Sequence, residues 1–144
     1  MKLFKLLGVS FFLISISTQV VAEKVVVIVN DKNMQELNKQ DVAAIYSDNI
    51  IEWDNGNKIM SYDLPEGDKL RDVFSENILG MSTSEAVREW LNRKITNSAR
   101  NPPRSRKERL LLLTVKRNGN AIGYVSETAA RRTEGVRVVM TIDE

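Results

Sequence analysis

Residues Val25 to Val29 read Val-Val-Val-Ile-Val, a run in which every side chain is β-branched and none is polar. A strand with one wet face alternates apolar and polar residues, so an unbroken run calls for a strand buried on both faces. Such a strand belongs in the middle of a sheet with helices above and below it. Any fold for this chain must therefore supply two covering layers as well as neighbouring strands.

The rest of the chain provides them in alternation. Asn38 can cap a helix whose third residue is Asp41, with Val42, Ile45 and Tyr46 on one face. Ile50, Ile51 and Trp53 lead into Asp54-Asn55-Gly56-Asn57, a turn cluster, and Lys58 to Tyr62 then reads as a strand. Leu70, Val73, Phe74, Ile78 and Leu79 repeat at helical spacing until Gly80 stops the helix. Ser82 with Glu85 makes a capping box ahead of a helix whose buried face is expected at Ala86, Val87, Trp90, Leu91 and Ile95. A second capping box, Ser105 with Glu108, precedes Leu110 to Val115, and Gly119 closes that helix. Ala121 to Val125 and Val136 to Ile142 are the closing strands, joined by a polar segment that suits a helical turn. Alternating strands and helices without a repeat predict one α/β sandwich, a mixed sheet flanked by helices.

Ahead of the first strand, Lys2 and Lys5 precede an apolar run from Leu6 to Ile16, and Val20 and Ala22 are small enough for signal peptidase. The run is well short of the roughly 20 residues that a bilayer core requires. Residues 1–22 are therefore expected to be a signal peptide cleaved after Ala22, and 23–144 one soluble domain released to the periplasm. Removal of Lys2 and Lys5 brings 21 basic residues to 19, matching the 19 acidic ones. The charge is nonetheless uneven: residues 23–91 hold 14 acidic and 7 basic side chains, and residues 92–144 hold 5 and 12.

The chain contains no histidine and no cysteine. That removes the usual general base, the thiolate nucleophile, disulfides, an acylated-cysteine anchor and nearly every transition-metal site. No serine is followed three residues later by lysine, and no glycine-rich phosphate loop is present. Asp63, Glu66, Asp68 and Asp72 lie together at a helix start, where carboxylates ordinarily complement the helix dipole, so an enzyme is not expected and neither is a cofactor. Arg100, Arg104, Arg106, Lys107 and Arg109 form a basic stretch that reads either as a solvated face or as a patch for an anion or an acidic partner. It contains no aromatic side chain for base stacking, which disfavours nucleic acid.

Five segments taken in order carry a resemblance: Leu37 to Tyr46, Trp53 with Asp54 and Gly56, Asp63 to Leu79, Pro102-Pro103, and Ala121-Ile122-Gly123-Tyr124-Val125. Together they resemble the phosphate ABC transporter substrate-binding proteins. The resemblance implies the fold of one lobe of a periplasmic binding protein and an oxyanion such as phosphate held at a helix start. The family's Gly-Ser-Gly-Thr-Arg stretch falls on Gly67, Asp68, Lys69, Leu70 and Arg71, with Phe74 beyond it, so the implied ligand residues are Gly67, Asp68, Lys69 and Arg71. Gly67, Arg71 and Phe74 match, whereas Asp68 and Leu70 replace the hydroxyl residues and Leu64 stands where an arginine is expected. An aspartate beside an anion adds repulsion that Lys69, Arg71 or the later arginines would have to offset. Three readings stay open: an oxyanion-binding module for transport or sensing; a ligand-free accessory subunit of a membrane receptor or envelope complex; and, least favoured, a carboxylate-dependent hydrolase, which would require Asp63, Glu66 or Asp68 in a cleft with a raised pKa rather than on an exposed helix end.

Overall fold

The computed structural model describes residues 12–19 and 23–143. The basic start and the cleavage point of the expected signal peptide lie outside these residues, and 12–19 carry no regular secondary structure.

Strand β1 (Val25–Asn30) is buried along its whole length, as its unbroken apolar run requires. It pairs antiparallel with β4 (Ala121–Ser126) on one side and with β5 (Val136–Ile142) on the other. Strand β2 (Met60–Asp63) runs parallel to β4, and the two-residue β3 (Arg104–Ser105) runs parallel to β2. The mixed sheet therefore has the order β3-β2-β4-β1-β5. The strand expected at Lys58 to Tyr62 sits slightly later, because Lys58 instead bridges back to Glu52 across the Trp53 turn.

Helix α1 (Lys39–Tyr46) is capped by Asn38 as expected, and the cap is a full box, the Asn38 side chain accepting from the Asp41 N–H and the Asp41 carboxylate from the Asn38 N–H. Helix α2 (Lys69–Phe74) continues as a wider π-helical turn through Leu79 and ends at Gly80, whose φ of 68° is the left-handed conformation glycine adopts without a Cβ clash. Phe74 stacks on Tyr124 with ring centroids 3.9 Å apart, and Tyr46 meets the Phe74 ring edge-on at 4.8 Å. These three rings anchor α1 and α2 to the sheet.

Helix α4 (Glu108–Arg117) lies directly on the sheet over Gly123, and the buried Asn30 amide holds its end by donating to the carbonyls of Val115 and Lys116. The second capping box does not form. Ser105 is drawn into β3, Lys107 takes the cap position without a side-chain bond, and Glu108 instead accepts from the Ser126 hydroxyl at 3.1 Å. That contact fixes the start of α5 (Glu127–Arg131), the expected helical turn.

Helix α3 (Thr83–Ile95) keeps the Ser82–Glu85 box but not its expected buried face. Ala86 is buried, whereas Leu91 and Ile95 are 54% and 73% exposed. The helix rests on the α2 segment by its first turns, while in its second half Arg93 donates to the Ser47 carbonyl at 2.7 Å and Trp90, Leu91 and Lys94 border a cavity shared with Pro102 and Pro103. Among the described residues, no helix is long and apolar enough to cross a membrane.

Candidate functional site

Asp63 is the last residue of β2, and its carboxylate stands at the carboxyl-terminal end of two parallel strands, the position where open α/β sheets form ligand crevices. Arg71 reaches it from α2. One guanidinium nitrogen, Nη2, lies 3.1 Å from Asp63 Oδ2, and Nη1 donates to the Leu64 carbonyl at 3.0 Å. The Tyr124 hydroxyl, on β4, donates to the other Asp63 oxygen and accepts from the Leu64 N–H. Tyr46 completes the group by donating to the Tyr62 carbonyl at 2.7 Å.

The pair is nearly removed from water, with 10% of the Arg71 side chain and 13% of the Asp63 side chain exposed. Burial raises the Asp63 carboxyl above its ordinary value, and the opposing Arg71 charge and Tyr124 hydroxyl do not fully offset it. Burial also lifts the Tyr124 phenol well above its ordinary range, and the Asp63 charge adds to the effect, so Tyr124 is a neutral donor. Arg71 Nε is buried without a partner among the described residues.

Above the pair lies a cavity of about 240 Å³. Asp63, Arg71 and Ser105 supply its polar floor, Lys94 of α3 contributes a cation, and Val87, Trp90, Leu91, Pro102 and Pro103 supply apolar wall. A small ligand placed here would meet an arginine already oriented by two acceptors, one carboxylate, one hydroxyl and one lysine.

The structure separates the other sequence-derived candidates from this floor. Gly67 forms the turn before α2 at a φ of 94°, and Asp68 caps that helix by accepting the Leu70 N–H at 2.9 Å, filling the helix start with its own carboxylate. Lys69 does not line the cavity; Arg71 does. Of the basic stretch, Arg100 donates to the Asp48 carbonyl while its own N–H and that of Asn101 bind the Asp48 carboxylate, which makes it a loop clamp. Arg104 and Lys107 are exposed on either side of Ser105, and Arg106 folds back on the Ser105 carbonyl. The sequence reading sets Asp63 among the dipole-complementing carboxylates, with a cleft carboxylate of raised pKa as the hydrolase alternative, and of Asp63, Glu66 and Asp68 it is Asp63 that lines the cavity, with its carboxyl raised by burial; the same reading sets Ser105 in a cap and Trp90 in the core. The one signal for their convergence was the position of Asp63 just before Leu64-Pro65, where a strand must end.

No family model matches the chain, and no curated protein matches it. Solved structures do. The chain is similar to an ABC-type phosphate transport receptor from Vibrio cholerae, with a TM-score of 0.63 and 16% identity over 82% of this chain and 46% of that one. It is likewise similar to a phosphate ABC transporter substrate-binding protein with bound phosphate from Clostridium perfringens, with a TM-score of 0.62 and 22% identity over 81% and 44%. A third is PstS from Borrelia burgdorferi, with a TM-score of 0.63, 13% identity and 81% and 46% covered. The chain thus has the α/β fold of these phosphate-type substrate-binding proteins and spans less than half their length.

Proposed function

We propose that this chain is an exported, non-enzymatic module of the substrate-binding type that holds a protonated oxyanion, with hydrogen phosphate the best-fitting species, over the Asp63–Arg71 pair. The observation that carries this is the placement of one carboxylate and one guanidinium together on the floor of an open cavity. An anion with no acidic proton gains from Arg71 and Lys94 but is repelled by Asp63. Hydrogen phosphate accepts from Arg71, Lys94 and Ser105 and turns its own O–H toward the Asp63 oxygen, so every partner is complementary. Sulfate at neutral pH lacks that proton. The matched structures are described as phosphate receptors and binding proteins, one with phosphate bound, which supports the same ligand class for a periplasmic module serving a membrane transporter or sensor.

The test is thermal unfolding of residues 23–144 with phosphate and with sulfate at matched ionic strength. At a hundredfold excess over its dissociation constant, phosphate should stabilise the fold by about 2.7 kcal/mol. The shift should shrink in Ser105→Ala and Lys94→Ala, whose side chains are not core. A response to neither anion would overturn the reading and favour the accessory-subunit alternative, for which Ile95, exposed on α3 beyond the cavity lining, offers an apolar contact.

A further inference from the structure

A second cavity, of about 480 Å³, opens at the other end of the sheet. Asn57 and Asn120 precede the parallel strands β2 and β4, so this cavity lies at the amino-terminal ends of the strands whose carboxyl-terminal end carries Asp63. Its volume falls within the roughly 300–1,000 Å³ usual for small-molecule sites.

The lining is unusual in being built from carboxamides: Asn33, Gln35, Asn55, Asn57 and Asn120. Four of the five oxygens are held by internal bonds. Asn33 accepts the Gln35 N–H and Gln35 accepts the Asp54 N–H, each at 3.0 Å. Asn55 accepts the Asn57 N–H at 2.9 Å, and Asn120 accepts from the Asn57 amide at 3.3 Å. The amide planes are thereby oriented, while the NH₂ groups of Asn33, Gln35, Asn55 and Asn120 donate to nothing among the described residues. Beneath them the Trp53 indole is buried and anchored to the Asn120 carbonyl at 3.0 Å. Two Arg137 bonds to Asn33 O, at 2.9 and 2.6 Å, and one to Gln35 O, at 2.8 Å, hold the opposite wall.

Charge is balanced here, with Lys32 and Asp54 the two ionised groups of the lining. Neither an anion nor a cation is favoured. Oriented amide donors, with the Asp54 carboxylate and the free Asn57 oxygen as acceptors, match a ligand that both gives and accepts many hydrogen bonds without net charge. The apolar side chain of Met34, 72% exposed, offers a surface for C–H groups. We infer that this cavity is a binding site for a neutral saccharide, separate from the Asp63–Arg71 site.

The chain's two tryptophans make the test self-controlled, since Trp53 lines this cavity and Trp90 lines the other. Indole and backbone N–H signals of residues 23–144 would be followed by heteronuclear NMR during titration with glucose, N-acetylglucosamine, maltose and chitobiose. The inference expects at least one sugar to shift the Trp53 indole and the Gly119 and Asn120 amides saturably while leaving the Trp90 indole unmoved. Gly119 lines the cavity with open space around its Cβ position and no positive φ, so Gly119→Tyr can fill the site without disturbing the fold. That variant and Asn33→Ala should each weaken binding by about tenfold or more, the loss of roughly 1.4 kcal/mol. Absence of a Trp53 response to all four sugars, or a response unchanged in Gly119→Tyr, would overturn the inference.

Discussion

Arg71 shows how one side chain serves fold and site at once. Its guanidinium is buried against Asp63 and the Leu64 carbonyl, so Arg71→Ala would strand a buried carboxylate. Breaking such a pair costs about 3–5 kcal/mol, which a urea midpoint would report. Arg71→Ala is therefore a poor probe of binding, and Ser105 and Lys94 are the better ones. Asp63 has a pH signature of its own. Because its folded carboxyl titrates above the ordinary value of 3.8, the folded state holds this proton more tightly than the unfolded chain does. Its contribution is full below the unfolded value and is lost as pH rises through the raised folded value. The stability of the wild type relative to Asp63→Asn should thus fall across that window as pH increases, the opposite of a carboxylate whose pKa is depressed. Neither role was legible residue by residue. Arg71 matched a resemblance, but its partner is set by the β2–α2 turn, a tertiary fact.

At the scale of elements, capping chemistry and period were the reliable guides. Asn38–Asp41, Ser82–Glu85 and the Gly80 stop all form because each is settled by neighbours within one helical turn. Ser105–Glu108 failed because a sheet edge offered Ser105 a strand pairing and Ser126 offered Glu108 a partner 18 positions away. The apolar stripe of α3 has the period of a core face, yet its far end, Leu91 and Ile95, stays exposed. Leu91→Glu and Ile95→Lys should accordingly change stability by no more than about 0.5 kcal/mol. The reverse holds at the α4–β4 contact. A Cβ on Gly123 would stand 2.5 Å from the Leu111 side chain, so Gly123→Ala should force the helix away from the sheet and cost about 1–3 kcal/mol by chemical denaturation.

For the whole molecule, the five-residue β-branched run was enough to require a covered sheet, and the strand–helix alternation enough to name the class. The strand order was not legible, because β2 and β4 pair across 60 residues and nothing local encodes that choice. The same holds for the two cavities, which gather side chains from opposite ends of the strands. The Asp63–Arg71 floor is proposed to select an oxyanion that still carries a proton. Isothermal calorimetry of residues 23–144 with phosphate and sulfate at neutral pH tests it most directly. Phosphate should bind one-to-one and sulfate little or not at all, with the phosphate affinity reduced in Ser105→Ala and Lys94→Ala. Equal affinity for the two anions, or binding of neither, would contradict it.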